Sequence, residues 1–113
     1  MPICALLEIN DEIVRYQWFS ESGKIRNEDQ IPWSTILELE VFKRDVFAYD
    51  LICLTIKHSG GESVEIDEED LLWEVFVSSL PDRLDGVRPW SEWFTEVAFP
   101  AFETKNQTIY TRL

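Results

Sequence analysis

One histidine, two cysteines and four glycines in 113 residues leave few parts from which a catalytic centre could be assembled. With His58 the only imidazole, no trio of histidines can hold a metal. A Cys–His nucleophile would need Cys4 or Cys53 beside His58, yet Cys53 lies five residues away on the same strand and faces the other side. A serine triad has one possible base and no G-x-S-x-G elbow. Glycine is too sparse for a phosphate loop, and neither G-x-x-x-x-G-K nor G-x-G-x-x-G occurs. The 22 acids must supply some carboxylate pair, but nothing in their spacing singles one out. No catalytic residue, cofactor or metal ligand is therefore assigned.

Long apolar runs are also missing. No stretch reaches the roughly 18 residues needed to span a bilayer, and MPICALLEINDEIV has neither a basic n-region nor a signal-length apolar core. Both cysteines sit in apolar runs (ICALL and LICLTI) and are too few for a disulfide framework. They read as reduced, buried thiols, and a cytoplasmic protein is the expectation. The sequon Asn106-Gln107-Thr108 then reads as chance.

Positive charge is the last scarcity. Ten Lys and Arg stand against 22 Asp and Glu, a net charge of −12. Phosphate contacts need clustered bases, which argues against nucleic acid, and anionic membrane surfaces are disfavoured for the same reason. A basic protein partner remains open, and nothing here sets the oligomeric state.

What the chain does have is apolar and aromatic material: 45% hydrophobic residues, with five Trp and seven Phe. That is enough for one packed domain over residues 1–113. Short apolar runs at Ile3–Glu8 and Glu12–Phe19 flank an Asn10-Asp11 turn signal. Ser20–Asn27 reads as a loop, and Ser34–Phe42 as a partly alternating strand. In Leu51–Lys57, Ile52, Leu54 and Ile56 point one way while Cys53, Thr55 and Lys57 point the other. After the His58–Gly61 turn, where the glycines could supply positive φ, Val64 and Ile66 face inward, and Ser63, Glu65 and Asp67 outward. This predicts a hairpin with one wet face.

The period then changes from 2 to 3.6. Leu71, Leu72, Val75, Phe76, Ser79 and Leu80 form one stripe, ended by Pro81. Pro89 and the spacing of Trp90, Trp93, Phe94 and Val97 predict a second helix over Trp90–Ala98, stopped at Phe99-Pro100. Thr108–Thr111 is strand-like. The expected class is α+β: an antiparallel meander of about five strands, two helices packed on one face and a C-terminal strand.

Six carboxylates and no base fall between residues 62 and 70, half of the net charge. The run is no EF-hand loop, since its acids are consecutive and it has no central glycine. If Asp67 caps a helix, Glu68, Glu69 and Asp70 fill the first turn, where the helix dipole favours acids. That dipole offers only about half a charge. The excess over it suits a docking surface for a basic partner. Glu62, Glu65, Asp67, Glu68, Glu69 and Asp70 are the candidate partner-binding residues, with Trp73 as an exposed tryptophan beside them. Trp90, next to Arg88, is a further interface candidate in the aromatic cluster that runs to Phe102.

The segments IPWSTILELEVF (31–42), LICLTIKHSGGESVEI (51–66), WFTEVAFPAF and TIYTR together resemble a loose group of small acidic bacterial α+β proteins. That group includes uncharacterised cytoplasmic proteins and immunity proteins to secreted toxins. The resemblance implies a protein that neutralises a basic, nuclease-type toxin by covering its active site. The leading expectation is thus a non-enzymatic acidic binding module. A regulatory or structural subunit that self-associates through Trp90–Phe102 is the alternative, and a small enzyme built on a carboxylate pair comes third.

Overall fold

The computed structural model describes residues 4–19, 26–45, 48–98 and 106–112. Strand β1 (Ala5–Ile9) turns into β2 (Ile13–Phe19) at Asn10. The Asn10 Oδ1 accepts the N–H groups of Glu12 and Ile13 at 2.8 and 2.9 Å, the local bonding that suits Asn to turns. β3 (Arg26–Pro32) then pairs antiparallel with β2 along its whole length. Arg26 and Asn27 therefore belong to a strand and not to the expected loop; residues 20–25 of that loop lie outside the described residues.

A 3₁₀ turn at Trp33–Thr35 redirects the chain into the second sheet. Its Trp33 indole N–H donates to the Asn10 carbonyl at 2.8 Å, tying the corner to the first hairpin. β4 (Ile36–Asp45), β5 (Asp50–His58), β6 (Val64–Asp67) and β7 (Asn106–Thr111) follow. All pairings are antiparallel, in the order β6-β5-β4-β7. The fold is α+β and mostly strand; among the described residues seven strands lie in two sheets of three and four, where one meander of about five strands with a C-terminal strand was expected.

The sheets meet where β1 runs along the outer edge of β6. Cys4 N–H donates to the Glu65 carbonyl at 2.9 Å, and Leu6 N–H donates to the Asp70 carboxylate at 2.8 Å. An edge that would otherwise offer unpaired backbone groups is covered in this way.

Helix α1 (Trp73–Arg83) buries Trp73, Phe76, Val77 and Leu80, a stripe at i, i+3, i+4 and i+7. Its register differs from the expected one, because Leu71 lies before the helix and is 98% exposed, while Val75 faces outward. Trp33 stacks on Phe76 at 5.9 Å and joins the helix to the 3₁₀ corner. Pro81 sits inside the last turn, and the helix continues to Arg83. Gly86, at φ 82°, then makes the reversal toward the second helix in a conformation that costs glycine little.

Helix α2 spans Trp90–Ala98, as its spacing predicts, and packs Trp93 and Val97 against β4, β5 and β7. Phe99, Pro100 and Phe102 lie outside the described residues. A buried ammonium ties this layer down: Lys43 Nζ is 3.2 Å from the Ala98 carbonyl and 3.5 Å from the Asp50 carboxylate.

The expected wet face of the β5–β6 hairpin is not there. Leu51 through Ile56 are buried on both faces. Ile52, Leu54 and Ile56 join the core, while Cys53 and Thr55 lie on the far face with Glu65. Gly60 and Gly61 do not adopt positive φ either. A Cβ at Gly60 would stand 3.3 Å from His58 Nδ1, so glycine serves close approach there.

Candidate partner-binding groove

β6 ends at Asp67, and two tight turns separate it from the helix. Asp70 N–H donates to the Asp67 carbonyl, and Trp73 N–H to the Asp70 carbonyl, each at 3.0 Å. The helix starts at Trp73 with Leu72 at the N-cap and no side-chain cap, so Asp67 is not the expected capping residue. Glu74 is the acid in the first turn.

The acids of the run are placed by backbone groups from other elements. Asp67 Oδ1 accepts the Glu69 N–H at 2.9 Å. Glu68 donates its own N–H to the Ile52 carbonyl and accepts the Ile52 N–H on its carboxylate, both at 3.0 Å. Its side chain thereby extends the β5–β6 ladder by one further rung. Asp70 accepts Leu6 N–H on one oxygen and Leu72 N–H on the other, at 2.8 and 2.9 Å. Glu69 accepts the Tyr49 hydroxyl, and that hydrogen bond raises the Tyr49 pKa above its ordinary value.

Glu65 departs most from the expectation. It is 5% exposed, not outward in solvent. Its two oxygens meet the Arg44 guanidinium at 2.9 and 3.0 Å, the forked geometry in which Arg recognises carboxylate. The hydrogen bond to Glu65 is the main cause that raises the Arg44 pKa. Arg44 also lies 5.5 Å over the Phe42 ring, so it roofs the far face of the sheet. Glu62 is exposed in the β5–β6 turn and lines a separate recess.

Trp73 is buried to 4% exposure and lines an open groove of about 400 Å³. Glu68, Glu69, Asp70, Leu71 and Glu74 line it as well, together with Trp90 and Phe94 of α2. A second recess of about 420 Å³ shares Glu74 and Trp90 with it and is otherwise lined by Val75, Val77 and Ser78. Trp90 is 41% exposed and held by its neighbours, 4.6 Å from the Phe94 ring and edge-on to Trp93 at 6.4 Å. Exposed Leu71 and Val75 complete an apolar strip, and no Lys or Arg lines either recess among the described residues.

Three of the six acids expected to bind a partner thus share one groove with Trp73, whereas Glu62, Glu65 and Asp67 do not line it. Trp90 takes the exposed role expected of Trp73. Leu71, Glu74 and Val75 escaped the sequence reading, whereas Phe94 belongs to the aromatic cluster already named as an alternative interface. The i, i+4 pair Leu71/Val75, off the Trp73–Leu80 stripe, was the signal for two of them.

Chemistry elsewhere is muted. Cys4 and Cys53 are both buried thiols outside any disulfide. Burial, with the Glu65 charge adding to it, pushes their pKa values up to about 11 and about 12. Both remain thiols at neutral pH and are poor nucleophiles. Among the described residues no group of three or more His, Cys, Asp and Glu is placed to hold a metal ion, and no helix is long and apolar enough to cross a membrane. Comparison with protein-family models, with curated proteins and with solved structures finds no match, which leaves the geometry of the groove as the ground for a functional reading.

Proposed function

We propose that the protein is a non-enzymatic binding module that captures a basic protein partner in the groove between α1 and α2. The observation that carries this reading is an apolar strip with a carboxylate rim. Leu71, Val75 and Trp90 are exposed on adjoining surfaces, and Glu68, Glu69, Asp70 and Glu74 surround them without a lining base. An aromatic anchor inside a charged border is the anatomy of a protein-binding hot spot. The uncompensated charge would speed encounter with a cationic surface. Self-association through this face is disfavoured, since a two-fold contact centred on the groove would bring the carboxylate rims together. In its concrete form the module is an immunity-type inhibitor of a basic nuclease-type toxin domain, acting in the cytoplasm.

The test is titration calorimetry of the protein with the product of the adjacent reading frame, beside a Glu69→Lys/Glu74→Lys variant. A complex that weakens with salt and is lost on charge reversal supports the proposal. A complex indifferent to both moves the interface off the groove. Failure of that product to bind removes the immunity form.

A further inference from the structure

The β5–β6 turn folds toward the three-stranded sheet and leaves a further recess, of about 210 Å³, that shares no lining residue with either helix-edge recess. We propose that this recess binds a single organic ammonium group. Its volume lies below the roughly 300 Å³ at which drug-sized sites begin, which suits one head group.

Among its lining residues the recess brings two aromatic side chains beside two carboxylates. Tyr16 and Trp18 stack at 5.5 Å with 26° between their planes, and both rings line the recess. Asp29, the cross-strand partner of Tyr16, supplies one carboxylate and Glu62 another. Burial first, and Asp29 next, push the Tyr16 pKa up to about 12, so its hydroxyl stays neutral.

The His58 ring is held at both nitrogens, with the Gly60 N–H donating to Nδ1 at 3.2 Å and Nε2 3.0 Å from the Glu62 carbonyl. No Lys or Arg lines the recess among the described residues. Two carboxylates around aromatic rings repel an anion and give a neutral guest no electrostatic gain. A cation gains from both the charges and the ring quadrupoles.

The test uses choline, its neutral isostere 3,3-dimethyl-1-butanol and N-acetyl-lysine amide, each titrated against the Trp18 indole NMR signal. Choline or the lysine amide should saturate, and choline should bind at least about fivefold tighter than its isostere. Trp18→Leu, which removes the indole reporter and is therefore read by titration calorimetry, should abolish binding, and Asp29→Asn, at an exposed site, should weaken it by about threefold without disturbing the fold. Tighter binding of choline identifies a free head group as the natural guest, and tighter binding of the lysine amide a peptide side chain. Equal affinity for choline and the isostere overturns the proposal, as does the absence of any saturable shift with either ammonium.

Discussion

Asp70 and Glu74 carry the same charge four residues apart, yet they belong to different parts of the molecule. Asp70 spends both oxygens on backbone N–H groups, one from β1 and one from the turn it sits in. Glu74 stands exposed on the rim of the groove. The same division runs through the tryptophans, with Trp73 packed into the core and Trp90 open to solvent beside it. A run of acids is thus not one feature. What each oxygen bonds decides whether the charge stitches the fold or faces outward.

The largest separation between the two regions should come from the tryptophans. Trp73→Ala empties a core site packed among Phe76, Val77 and Leu80 and should cost about 3–5 kcal/mol of stability. Trp90→Ala should cost under about 1 kcal/mol and act on partner binding instead. Thermal unfolding of the two variants checks this, and similar losses from both would erase the distinction. Next in size is Asp70→Ala, which strips acceptors from Leu6 and Leu72 and should cost about 2–4 kcal/mol. Asn at this position can satisfy only one of the two donors and should recover about half of the loss. Hydrogen exchange at the Leu6 amide should rise in both variants, because that bond joins the two sheets.

A pH scan probes the stitched region from the other side. Cys4 and Cys53 have native pKa values near 11 and 12, above their ordinary value of 9.0. The unfolded chain therefore releases these protons first as pH rises. Stability from the buried thiols is complete below pH 9 and is lost progressively through 11 and 12. Replacing both cysteines with Ala should flatten the alkaline limb of a melting-temperature profile. An unchanged limb would mean that other groups set it.

Local patterns made part of this legible in the sequence. Alternation at Ile52, Leu54 and Ile56, the i, i+3, i+4, i+7 set of α2, and the Asn10 turn are short-range signals, and the structure contains each of them. β3 gave no such signal. RNEDQIP is polar and mostly exposed, and its strand form comes from pairing with β2. The register of α1 was obscured because Leu71 imitates a core residue one turn early while pointing into solvent. The roles of Glu65, Glu68 and Asp70 depend on Arg44, Ile52 and Leu6, which lie 21, 16 and 64 residues away. Sequence spacing holds no record of such partners, so the acids bonded to other elements and those facing outward looked alike.

The smallest effect on stability is predicted for the rim itself. Glu69→Lys/Glu74→Lys alters two side chains exposed on the groove's edge and should shift stability by no more than about 0.5 kcal/mol per site. Its effect belongs to association: the on-rate for a basic partner should fall about tenfold at low salt and converge with the native rate as salt rises. The control is Glu65→Gln, which weakens the bond between this buried carboxylate and the partly exposed Arg44 and should lower stability while leaving the on-rate nearly unchanged. If the rim variant melts early with an unaltered on-rate, Glu69 and Glu74 belong with the stitching carboxylates. The groove then loses its claim to the partner.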